Sequence, residues 1–138
     1  MQIKLKNMSK FGEANIQEQI VKRFNELVFY KQIPLPSILF SNRNENKGII
    51  SGKRYKEQGR KAGVPDLTLL YDGKIAFIEL KTPKAHKTSK GIETKSRGLE
   101  PSQVSFFENY IRPMKIPFTV CSSVVDFETF LRELNLLK

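Results

Sequence analysis

The stretch GVPDLTLLYDGKIAFIELK, residues 63–81, constrains the chain most. Leu67 to Tyr71 is an apolar run, Asp72-Gly73 is a two-residue turn signal, and Lys74 to Leu80 is a second run rich in strand formers. Two such runs around Asp-Gly predict a β-hairpin. A turn at Asp72-Gly73 pairs Tyr71 with Lys74, and counting outward sets Asp66 opposite Glu79. Directly opposed residues have Cβ atoms roughly 4.5–5.5 Å apart, where like charges repel. A divalent cation between them would remove that repulsion. Glu79 and Lys81 are two residues apart and so share a sheet face. The hairpin thus gathers two carboxylates and one ammonium at its open end.

At 138 residues, with no internal repeat and no Pro- or Ser-rich linker, the chain reads as one domain over 1–138. Hydrophobic residues make up 39% and aromatics 10%, enough to build a core and to exclude a disordered chain. The net charge of +10 and a pI near 9.8 point to a polyanionic partner, nucleic acid before an anionic membrane surface. One cysteine, Cys121, excludes an internal disulfide, and one cysteine with one histidine excludes a zinc finger. Cys121 lies in an apolar run and reads as a small buried hydrophobe rather than a nucleophile. With no basic-then-apolar leader and no long apolar segment, the expected location is cytoplasmic, with no membrane partner.

Residues 1–12 are polar and basic without a clear period and read as an extended lead-in. From Glu13 to about Tyr30, Ile16, Ile20, Val21, Phe24, Leu27 and Val28 form one stripe at helical spacing, ended by Pro34 and Pro36. Glu13 falls in the first turn, where an acidic side chain suits the helix dipole. Glu18 is the other acid of this helix and lies off the stripe. Ile38 to Phe40 reads as an edge strand. The polar segment after it carries Lys53, Arg54, Lys56, Arg60 and Lys61 against Glu57, with Tyr55 interleaved, and leads directly into the hairpin. This suits a grip on phosphates.

Residues 82–98 carry Lys84, Lys87, Lys90, Lys95 and Arg97 against Glu93 and read as a basic flexible loop that orders on nucleic acid. Pro101 to Ile111 is a predicted helix, Phe118 to Cys121 a short strand, and Ser123 an N-cap with Asp126 three residues on. The last helix runs through Leu137. The expected order is α-β-β-β-α-β-α: an α/β fold with a central mixed sheet flanked by helices.

Asp66, Glu79 and the carbonyl of Leu80 are hard oxygen donors suited to Mg²⁺ or Mn²⁺. Such an ion can polarise a phosphate oxygen and activate water, and Lys81 could position that water or stabilise developing charge. With basic segments on both sides, the chemistry that fits is phosphodiester hydrolysis.

Pro65-Asp66, twelve intervening residues and Glu79-Leu80-Lys81 resemble the PD-(D/E)xK nuclease signature. Gly63-Val64-Pro65-Asp66, Ile78 to Thr82, and Ser102-Gln103 opening the next helix are similar to the VRR-NUC branch of that superfamily. Glu13 with Ile16-Gln17 and Ile20-Val21 resembles its first-helix motif, and Ser122-Ser123 with Asp126 its ending. The resemblance spans roughly residues 13–135. It implies a restriction-endonuclease-like core and a catalytic set of Glu13, Asp66, Glu79, Lys81 and Gln103. Glu13, Asp66, Glu79 and Leu80 would take the metal. It further implies a homodimer acting on branched DNA, as Holliday-junction resolvases do, in a bacterial or phage-infected cell. The alternatives are a restriction- or flap-type nuclease of the same core and a non-catalytic nucleic-acid-binding module. The edge at Ile38–Phe40 and the last helix are the candidate dimer surfaces.

Overall fold

The computed structural model describes the backbone of residues 2–42, 57, 59, 61–88, 91–96 and 98–138, with side chains for 15–42, 57, 59, 61–82 and 98–138. The chain is α/β. Helix α1 (Gln2–Phe29) leads to strand β1 (Ser37–Ser41), then to β2 (Leu67–Tyr71) and β3 (Lys74–Leu80). Strands β4 (Pro83–Thr88) and β5 (Gly91–Ser96) follow. Helix α2 is an α-helix over Pro101–Phe106 that widens to a π-helix over Phe107–Ile111. Strand β6 (Phe118–Cys121) and helix α3 (Val124–Glu133) complete the fold.

The main sheet has the order β1-β2-β3-β6. β1–β2 and β2–β3 are antiparallel, and β3–β6 is parallel, the expected mixed sheet. Tyr71 pairs with Lys74, as the turn count requires. Asp72 and Gly73 both take positive φ, 47° and 69°, the combination a type I′ hairpin turn demands.

Strand alternation divides the sheet. Leu67, Leu69, Tyr71, Ala76, Ile78, Leu80 and Cys121 face one side and are buried there with Ile20, Phe24 and Leu27 of α1 and Phe127 and Leu131 of α3. Phe24 and Phe127 meet edge to face at 6.4 Å, and Arg23 of α1 pairs with Glu128 of α3 at 2.9 Å. The opposite face carries Thr68, Phe77, Glu79 and Phe118. It is covered in part by α2, through ring contacts Phe77–Phe106 at 6.3 Å and Phe107–Phe118 at 5.2 Å.

Three expectations are corrected. Residues 2–12 are not extended; α1 begins at Gln2. They hold good helix formers and no proline, and extending a helix is far easier than nucleating one. Residues 82–98 are not structureless, since β4 and β5 form a separate two-stranded antiparallel sheet with Pro83 opposite Ser96 and Thr88 opposite Gly91. The element order therefore gains two strands. The last helix stops at Glu133, because Asn135 takes φ 62° and Leu136 N–H turns back to Leu131 O at 2.9 Å, a Schellman-type ending. Leu136 and Leu137 are buried all the same. Among the described residues no helix is long and apolar enough to cross a membrane.

Candidate active site

Asp66 stands one residue before β2, and the β2–β3 register ends at Leu67 opposite Ile78. One step further, the regular ladder gives way to a side chain: Leu80 N–H donates to Asp66 Oδ2 at 2.8 Å. The β3 backbone thereby holds the carboxylate against the end of the strand that bears Glu79. Glu79 is 2% exposed and Lys81 4%, on the face of β3 that α2 partly covers. Charged side chains are seldom buried this completely without partners. Lys81 N–H donates to Cys121 O at 3.0 Å, so the backbone under the ammonium is fixed to β6.

The loop into Asp66 is held from two directions. From β1, Asn42 N–H donates to Asp66 O at 2.8 Å. The Asn42 amide nitrogen donates to Pro65 O at 3.0 Å and to Thr68 Oγ1 at 2.6 Å. From α2, the backbone of Ser102 packs against Gly63, which takes φ +82°. A Cβ there would collide with the Ser102 carbonyl and stand 3.0 Å from Gln103 N. Glycine is required twice over, by conformation and by space.

This packing sets Gln103 beside the Gly-Val-Pro-Asp loop. The Gln103 side chain also acts locally, since its Oε1 accepts from Glu100 N–H at 2.7 Å and closes a capping box at the start of α2. Glu13 lies on α1, and its side chain lies outside the described residues. Among the described residues no group of three His, Cys, Asp or Glu could hold a metal ion. Asp66 and Glu79 supply two hard carboxylate donors on neighbouring strands, and Leu80 lies between Glu79 and Lys81 on β3. The donor chemistry fits Mg²⁺ or Mn²⁺ and does not fit a soft thiophilic metal.

Of the basic residues expected to grip phosphate, Lys61 is described and exposed. Lys84, Lys87 and Lys95 lie on β4 and β5, with side chains outside the described residues. Lys53, Arg54, Lys56, Arg60, Lys90 and Arg97 lie outside the described residues altogether.

Cys121 is fully buried, and burial, with Asp126 adding to it, pushes its thiol up to about 12, so it is no nucleophile. A groove of about 1260 Å³ opens at the other end of the hairpin, around Pro34, Tyr71, Gly73 and Leu134. Among the described residues that line it, Asp72 is the only acid. The site is thus marked by its chemistry rather than by the size of a cleft. The residue that sequence reasoning missed is Asn42. It sits in a polar run among Asn44 and Asn46, and nothing local distinguishes it. Comparison with protein-family models, curated proteins and solved structures finds no match to this chain.

Proposed function

We propose that this protein is a Mg²⁺- or Mn²⁺-dependent DNA endonuclease with a restriction-endonuclease-like core of the VRR-NUC type. Its preferred substrate is branched DNA such as a Holliday junction. The carrying observation is the burial of Glu79 and Lys81 on one sheet face, next to an Asp66 whose carboxylate is tied to the Leu80 amide. Two carboxylates and an ammonium gathered on one sheet face suit a metal-assisted phosphodiester site. The net charge of +10, with basic residues flanking the hairpin at 53–61 and 84–97, supports a nucleic-acid substrate.

Asp66, Glu79, the Leu80 carbonyl and Glu13 are the residues that would hold the ion. When bound, the ion supplies polarisation of a phosphate oxygen and activation of water. Lys81 places a positive charge where negative charge develops on the phosphate. Gln103 borders the site from the start of α2, its backbone packed beside Gly63. The protein acts as a homodimer in the cytoplasm of a bacterial or phage-infected cell, so that two sites face two strands. Among the candidate surfaces, Ile38 (54% exposed) and Phe40 (40%) on β1 favour that edge. The apolar face of α3 is taken up by the core, with Phe127, Phe130 and Leu131 buried.

The test is a panel of synthetic junction, flap, duplex and single-stranded DNAs with and without Mg²⁺ or Mn²⁺, beside Lys81→Ala. The expected result is metal-dependent cutting of branched DNA that Lys81→Ala abolishes. Cutting of plain duplex at a fixed sequence would replace this reading with a restriction-type one. Binding without cleavage by wild type would leave a nucleic-acid-binding module.

A further inference from the structure

The three hydrogen bonds of Asn42 converge on one short segment. Its backbone N–H donates to Asp66 O at 2.8 Å, and its amide nitrogen donates to Pro65 O at 3.0 Å. The same amide nitrogen donates to Thr68 Oγ1 at 2.6 Å, so both of its hydrogens are used. Pro65 O belongs to the peptide on the N-terminal side of the Asp66 Cα, and Asp66 O to the peptide on its C-terminal side. Both peptide planes are fixed by one residue, the first after the neighbouring strand β1. Thr68, 4% exposed, anchors the amide from beneath. The Asp66 carboxylate is fixed in turn by Leu80 N–H on the other side. Asp66 therefore spans from the end of β1 to β3, although β2 proper begins only at Leu67.

We propose that Asn42 is a positioning residue: it clamps the Pro65–Asp66 segment so that the Asp66 carboxylate stays aimed at the Glu79–Lys81 end of β3. This role rests on the nuclease reading for its bearing on catalysis, but the clamp itself does not. Without the amide, the Pro65–Asp66 peptide can rotate. The carboxylate then loses its alignment with the Leu80 amide, while the sheet and the core on its far face stay intact. A residue that merely stabilises the fold would lower the melting temperature without singling out Leu80.

The experiment uses the full chain and two substitutions, Asn42→Ala and Asn42→Leu. The second keeps most of the side-chain volume and adds no charge, so it serves if the first fails to fold. Three quantities are read: hydrogen exchange of the Leu80 amide by NMR, Mn²⁺ affinity by titration, and cleavage kinetics on a DNA junction. Losing two hydrogen bonds is expected to speed Leu80 exchange about tenfold relative to other β3 amides, and to weaken Mn²⁺ binding by a similar factor. In cleavage, kcat falls about tenfold while KM for DNA holds, because the DNA-gripping residues are untouched. Unchanged Leu80 exchange in both variants overturns the clamp. Faster exchange with unchanged Mn²⁺ affinity and turnover overturns its positioning role. If wild type neither binds Mn²⁺ nor cuts DNA, the nuclease reading fails by itself, and Leu80 exchange still decides whether Asn42 holds Asp66.

Discussion

Solvent reaches little of Glu79 and of Lys81 just past β3, 2% and 4%, whereas Lys74 at the far end of β3 is exposed. One strand thus runs from an ordinary solvated end to a buried charged end. Asp66→Ala is expected to abolish cleavage while metal-free DNA affinity holds or rises, since a negative charge near the phosphates is removed; gel-shift and cleavage assays on one preparation check both. At Gly63 the limit is steric. Gly63→Ala combines a left-handed φ with a collision against the Ser102 carbonyl, and the start of α2 must move to admit it. A loss of about 2–4 kcal/mol in urea-unfolding free energy is expected. Both the Pro-Asp and Glu-x-Lys positions could be read in the sequence because strand alternation and a two-residue turn fix their register without reference to the rest of the chain. Asn42 could not, because its partners Pro65, Asp66 and Thr68 lie more than twenty positions away and are set by the pairing of β1 with β2.

At the scale of elements, the helices with apolar stripes and the core strands were legible, while their ends depended on tertiary context. The turn after α1 shows why. Lys31 adopts φ 60°, and Gln32 N–H reaches back to Leu27 O at 2.8 Å, a Schellman-type ending with lysine where glycine is usual. Ser123 was legible as a cap, and it accepts from Asp126 N–H at 3.1 Å while Asp126 accepts from Ser122 N–H at 2.8 Å. β4 and β5 escaped notice for a different reason. Strands are recognised by a buried face, and a hairpin rich in lysine and threonine advertises none. Their basic residues are the element's chemical content. Replacing Lys84, Lys87 and Lys90 together with alanine should weaken DNA binding regardless of sequence. It should also flatten the log–log salt dependence by roughly 0.9 units for each phosphate no longer neutralised. A filter-binding salt titration reads the slope, and an unchanged slope would place the hairpin away from the DNA backbone.

Across the whole molecule, the core carries one group whose ionisation is linked to folding, Cys121. Cys121 ionises near 9.0 in the unfolded chain and at about 12 in the folded one, because burial disfavours the thiolate. The folded state holds that proton longer. Its stabilising contribution is therefore complete below pH 9 and is lost progressively as pH rises toward 12. Denaturant unfolding between pH 7 and 10.5, a range chosen to straddle roughly the free-thiol value, should show wild type losing stability more steeply than Cys121→Ala. Thiol alkylation should be slow in the native protein and fast after unfolding. The strands of the hairpin β4–β5 pair only with each other among the described residues. Because Pro83 lies opposite Ser96, the chain leaves β3 and returns toward α2 at nearly the same place. The hairpin is therefore an appendage on closed ends. It can be lengthened, recharged or excised between Thr82 and Gly98 without displacing a strand of the main sheet or Lys81. On the nuclease reading, the basic hairpin can therefore be altered separately from the hairpin that carries Asp66, Glu79 and Lys81.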